Sequence, residues 1–266
     1  MALFFIFIIF DQIVICTHIM KNLYTLLTLS LITCFTSVSC VQTNTPPPLD
    51  PYLVDHLCTH IQDEPTAKEQ EMESLGLIDV STLDPGIMVQ MVYATPYNFM
   101  GKVLYEDVNR AYLQPDAAQK LLKAYKALKQ LRPDLTLIIY DAARPVSIQR
   151  AMWNMVKGTS WNYYVVNPEK GGSMHNFGAA VDLSLIDCTG KPLDMGSPYD
   201  YFGEEANIDR EEELVNKGLI TSREWKHRLL LRKVMTEAGF RTVKSEWWHF
   251  NSCSLDEAKQ RYNIIE

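Results

Sequence analysis

The spacing of apolar residues predicts four helices. Leu121, Tyr125 and Leu128 fall on one face of a continuous helical stretch, and lysines occupy its other faces. Two further stretches begin with serine or threonine followed three residues later by glutamate, which is the pattern of a capping box. The predicted helices run from Gln114 to about Leu131, from about Val146 to Val156, from Thr221 to Gly239, and from Ser254 onwards.

Four other segments have the apolar patterns of strands. In one of them, Val181, Leu183 and Leu185 alternate with Asp182 and Ser184, which predicts a half-buried strand. Helical and strand segments do not alternate regularly, so the pattern predicts an α+β fold with a mainly antiparallel central sheet flanked by helices. The predicted strands are 87–93, 135–140, 179–187 and 240–250.

The first 40 residues have the composition of a leader. An apolar run after Met20 has the pattern of an export signal, which makes Met20 an alternative start of translation. The run ends in Ser37-Val-Ser-Cys40, similar to a bacterial lipobox, so we predict an exported protein that is periplasmic or anchored to a membrane only by a lipid on Cys40. A retained transmembrane anchor is the alternative, because the combined apolar length would span a bilayer.

The rest of the chain is predicted to form one domain. Residues 41–77 are a proline-rich tether and an acidic segment, and residues 78–266 have globular composition. A formal net charge of −7 without a basic run argues against a nucleic-acid partner. Cys58, Cys188 and Cys253 permit at most one internal disulfide and lack the spacing of a zinc cluster. The oligomeric state is left open.

Two segments carry candidate metal ligands. His175 precedes the turn at residues 176–178, Asp182 lies on the strand after it, and His249 supplies a second imidazole far downstream. Three protein ligands leave a fourth tetrahedral position for water, which is typical of a catalytic zinc. Glu246 is a further carboxylate that can take a proton from this water. Because Glu246 and His249 are three residues apart, a bulge or bend between them is expected if both serve the site.

These residues also carry a resemblance to a known family. The pattern Ser173-x-His175-x-x-Gly178-x-Ala180-x-Asp182, followed by Glu246-x-x-His249, resembles that of the zinc D,D-peptidases, and the chain is most similar to the VanX-type D-alanyl-D-alanine dipeptidases. The similarity covers roughly residues 78–253. It also includes Tyr93-Ala-Thr-Pro-Tyr-Asn-Phe99, Tyr140-Asp-Ala-Ala-Arg-Pro145 and Met195-Gly-Ser-Pro-Tyr-Asp200.

The resemblance implies a single zinc-peptidase domain with one zinc ion per chain and a role for each remaining candidate. Glu246 is expected to be the general base, and Arg144 is expected to bind the oxyanion on the attacked carbonyl. The family match makes Ser173 a substrate contact. Asp200, with Tyr93 beside it, is the candidate partner for the substrate ammonium group.

The expected activity is hydrolysis of the D-alanyl-D-alanine dipeptide to two D-alanines. The small D,D-dipeptide is the expected substrate, and export would favour turnover of peptidoglycan fragments over glycopeptide resistance. A D,D- or L,D-carboxypeptidase acting on longer stem peptides is the alternative. A third interpretation, from a different class, is a non-catalytic zinc-bearing lipoprotein that binds cell-wall peptides, although such a module needs neither a base nor an oxyanion partner.

Overall fold

The computed structural model describes residues 64–266. The leader, the lipidation of Cys40 and the tether up to residue 63 lie outside this range, so they and the cellular location stay predictions. Within residues 64–266, no helix combines the length and the apolar character needed to cross a bilayer.

Helices and short strands surround one five-stranded sheet. In spatial order its strands are β2, β4, β5, β7 and β6, and β1 and β3 form a separate antiparallel pair. The strands are β1 (Ile78–Asp79), β2 (Met88–Val89), β3 (Tyr112–Leu113), β4 (Leu135–Asp141), β5 (Ala180–Asp187), β6 (Arg241–Thr242) and β7 (His249–Asn251). The helices are α1 (Ala67–Ser74), α2 (Pro115–Leu131), α3 (Val146–Val156), α4 (Glu211–Asn216), α5 (Ser222–Glu237) and α6 (Leu255–Arg261).

The fold is α+β as predicted, but the sheet is mixed. The pairs β4–β5, β5–β7 and β6–β7 are antiparallel, whereas β2 and β4 are parallel. Parallel neighbours need a long crossover, and α2 lies within the connection from β2 to β4. The prediction of a mainly antiparallel sheet therefore holds only in part, because the direction in which β2 pairs depends on this crossover and not on its apolar pattern.

The four predicted helices form close to their predicted bounds, whereas α1 and α4 were not predicted. The capping boxes at Thr221 and Ser254 both form, with each hydroxyl accepting from the backbone N–H three residues later. Helix α2 begins at Pro115, and its buried face packs on β4 and α5. The side chain of Gln114 donates to the carbonyl of Phe177 instead of capping the helix, so the start of α2 supports the loop that carries His175.

Three strand predictions were wrong in detail. Of the segment 87–93, only Met88–Val89 is a strand, and Val92–Ala94 form a 3₁₀ turn. Strand β5 alternates as predicted, but it is buried on both faces, because Asp182 and Ser184 are covered as well as the apolar residues. The segment 240–250 is not one strand. Its backbone leaves the sheet after Thr242 and returns at His249, with bends at Trp247 and Trp248. The predicted bend between Glu246 and His249 therefore exists.

The two cysteines in the described range are not bonded to each other. Cys188 is exposed, Cys253 is buried, and both are free thiols.

One buried cation fixes the loop that follows β5. Arg228 on α5 has a fully buried side chain. Its guanidinium donates hydrogen bonds to the carbonyls of Met195 at 2.5 Å, Glu205 at 2.6 Å and Asn207 at 3.4 Å. Its nearest acidic group is Glu211, at 3.8 Å. Burial lowers the pKa of Arg228 and Glu211 raises it again, with a net value of about 10, so the group remains charged at neutral pH.

Replacing this cation should destabilise the protein. We expect Arg228→Met to lower the free energy of unfolding by about 3 kcal/mol, since each buried carbonyl that loses its donor costs about 1–3 kcal/mol. Urea unfolding followed by tryptophan fluorescence measures the change. Arg223→Met, at an exposed position of the same helix, is the control and should change stability by less than about 0.5 kcal/mol. Equal stability of the two variants would contradict the anchoring of this loop by Arg228.

Candidate active site

Three neighbouring strands place polar side chains next to one another at one level of the sheet. Asp182 on β5 pairs in register with Asp141 on β4 and with His249 on β7. Residues directly opposite each other on adjacent strands project from the same face, so these three side chains converge. All three are buried. The sheet therefore supplies two carboxylates and one imidazole to a single point.

His175 reaches the same point from the loop before β5. Residues Met174–Phe177 form one 3₁₀ turn that ends at Gly178, whose φ of 63° is left-handed. A side chain at Gly178 would be strained in this conformation, and its Cβ would come within 2.8 Å of Leu77. The amide of Asn176 accepts from the N–H of Ser173 and donates to the carbonyl of Arg144, which ties the loop to the segment after β4.

The separations of the ligand atoms match a metal site. His175 Nε2 lies 3.2 Å from His249 Nδ1 and 3.3 Å from Asp182 Oδ1, and the last two atoms are 2.9 Å apart. Donor atoms around a tetrahedral zinc with bonds of about 2.0–2.1 Å lie about 3.3 Å from one another. These residues are also the one His/Asp cluster with metal-binding geometry found within residues 64–266. The donor set fits a divalent ion.

Both imidazoles are oriented by their other nitrogen. His175 Nδ1 lies 2.6 Å from the carbonyl of Ala142, which can only accept, so this nitrogen carries the proton and Nε2 keeps its lone pair. His249 Nε2 lies 2.9 Å from Asn251 Oδ1, which leaves Nδ1 to face the cluster. Such partners fix the tautomer and ring orientation of metal-binding histidines.

The electrostatics of the cluster favour positive charge. Burial alone would raise the pKa of Asp182, but the two neighbouring histidines hold it well below its usual range. Burial lowers the pKa of His249, but the hydrogen bond and charge of Asp182, together with Glu246, raise it to about 9. A cation is therefore stabilised at the point where the three side chains meet.

Glu246 lies beside the cluster without belonging to it. Its Oε2 is 3.9 Å from His249 Nδ1, and within the described part of the chain the carboxylate accepts no hydrogen bond. Burial raises its pKa, although the charges of His249 and His175 partly offset this effect. A free carboxylate with a raised pKa is suited to take up and release a proton.

Arg144 is held rigidly at the edge of the same cavity. Its guanidinium donates through Nε and Nη2 to Asp141 Oδ2 and through Nη1 to Gln149 Oε1 at 2.8 Å. Burial lowers its pKa, but Asp141 and nearby tyrosines raise it well above its ordinary value, so the charge is permanent. These bonds use three of the five N–H groups of the guanidinium.

The remaining predicted residues surround the same space. Tyr93 donates its hydroxyl to both oxygens of Asp200, at 2.9 and 3.0 Å, and burial is the main cause that raises the pKa of Asp200 well above its ordinary value. Ser173 caps the 3₁₀ turn, its Oγ accepting from the N–H of His175 at 3.4 Å, so the hydroxyl proton is left for a ligand.

One cavity of about 240 Å³ joins all of these groups. Apolar and aromatic side chains form its outer wall, among them Phe99, Met152, Tyr164 and Phe202. Every residue that the sequence proposed for the site lines it, namely Tyr93, Arg144, Ser173, His175, Asp182, Asp200, Glu246 and His249. The roles assigned to these residues stay predictions.

Sequence reasoning missed the groups that support the site. Asp141 lies in the motif at residues 140–145 but has no predicted role, and it accepts hydrogen bonds from Arg144 and from the hydroxyl of Tyr105. Asn251 is two residues after His249 on the same strand face, which is a signal that could have been used. Gln149 and Tyr199 offered no comparable pattern, because their partners come from distant parts of the chain.

A buried His–Asp–His cluster with a free glutamate and a fixed arginine defines a metallopeptidase-type site. The family model for D-alanyl-D-alanine dipeptidases matches residues 73–264. The chain therefore belongs to this family of metallopeptidases.

Named relatives agree with the family match. A D-alanyl-D-alanine dipeptidase of Escherichia coli (strain K12) is 34% identical over 178 residues, or 67% of this chain and 85% of the relative. One from Enterococcus faecium is 32% identical over 193 residues, or 66% and 91%. One from Synechocystis sp. (strain ATCC 27184 / PCC 6803 / Kazusa) is 27% identical over 241 residues, or 77% and 87%.

Removing one imidazole should abolish metal binding. We expect His249→Ala to retain less than about a tenth of the wild-type zinc after incubation with excess zinc and gel filtration, because two ligands hold an ion poorly. Metal content measured by mass spectrometry provides the readout. His227→Ala, which removes a histidine bonded to the Asp194 carbonyl, is the matched control and should keep full loading. Full loading of His249→Ala would exclude His249 as a ligand.

Proposed function

We propose that this protein is a zinc-dependent dipeptidase that hydrolyses D-alanyl-D-alanine to two D-alanines. The observation that carries the proposal is the convergence of His175 Nε2, Asp182 Oδ1 and His249 Nδ1 in a cavity that also holds Glu246 and Arg144. The family and the relatives named above support the substrate.

The donor set favours zinc as the single ion. Two neutral imidazole nitrogens and one carboxylate oxygen suit zinc better than magnesium or calcium, which prefer oxygen ligands. Bound there, zinc would polarise the scissile carbonyl and lower the pKa of water. His175, Asp182 and His249 would hold it, and their hydrogen bonds to Ala142, Asn251 and Tyr199 would keep them in place.

Glu246 would move the proton during hydrolysis. The attacking water gives a proton to this carboxylate, which then delivers it to the amine that leaves when the peptide bond breaks. Burial raises the pKa of Glu246, so the group accepts a proton more readily than an exposed glutamate would. It lies close enough to the cluster to act there, at 3.9 Å from His249 Nδ1.

Arg144 would stabilise the negative charge that develops on the attacked carbonyl. Its position is set beforehand by Asp141 and Gln149, so little reorganisation is needed as the charge appears. An N–H group that these bonds do not use would donate to the developing oxyanion.

The cavity has groups for both ends of a short substrate. Asp200, bonded to Tyr93, would receive the ammonium group, and the hydroxyl of Ser173 would donate to the substrate. Recognition of a free amine beside the reacting centre favours a dipeptide over a long stem peptide, whose amine lies further away.

Substrate choice tests the proposal directly. The purified zinc-loaded protein should release D-alanine from free D-alanyl-D-alanine, and it should release at least tenfold less from a muramyl pentapeptide at the same concentration. Release is measured by a coupled D-amino-acid oxidase assay. Cleavage of the pentapeptide alone would mean a carboxypeptidase, and release from neither substrate by loaded protein would favour a peptide-binding module.

The base is tested by a variant that keeps the shape of its side chain. We expect Glu246→Gln to bind one zinc per chain yet lose about 10²–10⁴-fold in kcat, the usual contribution of a positioned general base. Steady-state kinetics and metal content are measured on the same sample. Glu212→Gln, an exposed glutamate on α4, is the control with unchanged kcat. If Glu246→Gln kept full activity, another group would be the base.

A further inference from the structure

The two oxygens of Asp182 have different surroundings. Oδ1 faces both imidazoles, at 2.9 Å from His249 Nδ1 and 3.3 Å from His175 Nε2. Oδ2 points away from them and accepts a hydrogen bond from the hydroxyl of Tyr199 at 3.1 Å. The guanidinium nitrogen Arg144 Nη2 also faces this oxygen, but it is 4.0 Å from Oδ2, which is too far for a hydrogen bond. Within residues 64–266, Tyr199 is therefore the hydrogen-bond donor to this oxygen.

The ring of Tyr199 is fixed by other aromatic rings. It packs edge-on against Trp248 with centroids 5.4 Å apart, and it lies 5.1 Å from Tyr140 and 6.2 Å from Tyr93. A tyrosine hydroxyl carries its proton at neutral pH and an ionised carboxylate can only accept, so the hydroxyl of Tyr199 is the donor in this bond.

The backbone conformation at residues 199–200 positions the side chains of both Tyr199 and Asp200 at the site. Asp200, directly after Tyr199, has φ 58°, the one positive φ of a non-glycine residue in the described range. A left-handed residue costs free energy for any side chain larger than glycine and persists where its surroundings hold it. Here Tyr199 is bonded to Asp182 and Asp200 to Tyr93, so hydrogen bonds hold both sides of the turn.

We propose that Tyr199 is a positioning residue for the metal-binding carboxylate. By occupying Oδ2, its hydroxyl directs Oδ1 towards the two imidazoles and makes Asp182 a one-oxygen ligand of a divalent cation. The proposal rests on the proposed metal site and assigns a function to a residue outside the ligand set. Partners of this kind typically change metal affinity by about 10–100-fold when they are removed.

The test is the zinc affinity of Tyr199→Phe, which removes the hydroxyl and keeps the ring. We expect its zinc Kd to rise about tenfold, measured on the full chain by competition with a chromophoric chelator. Tyr140→Phe is the matched control, because it removes a buried hydroxyl that bonds Ser184 in the same aromatic group. Its zinc Kd should stay within twofold of wild type. Cobalt(II)-loaded samples should show altered visible absorption bands for Tyr199→Phe and unaltered bands for Tyr140→Phe.

Other outcomes would overturn the proposal. A zinc Kd of Tyr199→Phe within twofold of wild type would show that the hydroxyl does not position Asp182. An equal rise of the zinc Kd in Tyr199→Phe and Tyr140→Phe would show that loss of aromatic packing, and not loss of this hydrogen bond, weakens zinc binding. A metal-free Tyr199→Phe that melts far below metal-free Tyr140→Phe, or does not fold, would make the hydroxyl structural. Wild-type protein that binds no zinc would instead refute the proposed function, so the two failures are distinguishable.

Discussion

Burial of Asp182 on a central strand is the constraint on which the site depends. Strand β5 is covered on both faces, so this carboxylate cannot be stabilised by bulk water. An isolated buried charge costs several kcal/mol, and only close partners can offset that cost. The two histidines take one oxygen and Tyr199 takes the other. A charged carboxylate can therefore occupy this buried strand only because these partners converge on it.

The same burial makes a cation favourable. Asp141 and Asp182 occupy paired positions on adjacent strands, and Arg144 is the guanidinium next to both. Glu246 and Asp200 line the same cavity and add acidic character, and burial raises the pKa of each. The one permanent positive charge of Arg144 offsets only one of the paired carboxylates Asp141 and Asp182. A divalent ion between the imidazoles would add positive charge at this point and leave Glu246 free for proton transfer.

Local sequence was sufficient for four of the six helices in residues 64–266, and local motifs together with the family resemblance identified the groups in the cavity. The capping boxes and apolar faces are properties of short segments, and the motifs around His175 and His249 lie within ten residues each. Strand pairing was less accessible, because the parallel contact of β2 with β4 depends on a crossover through α2. Supporting groups such as Gln149 and Tyr199 could not be found from spacing, since their partners are brought together only by the tertiary fold.

The bend at Trp247 and Trp248 explains how residues three apart reach one cavity and also how the site is held together. Trp247 Nε1 donates to Ser197 Oγ at 2.9 Å, and Trp248 packs on Tyr199. Both contacts reach the loop that ends at Asp200, which Arg228 fixes from the other side through the Met195 carbonyl. The segment with the predicted base and the loop with the predicted ammonium partner are therefore braced against each other. A substrate held at one would be positioned relative to the other without further ordering of the chain, which is the geometric requirement for fast hydrolysis of a small molecule.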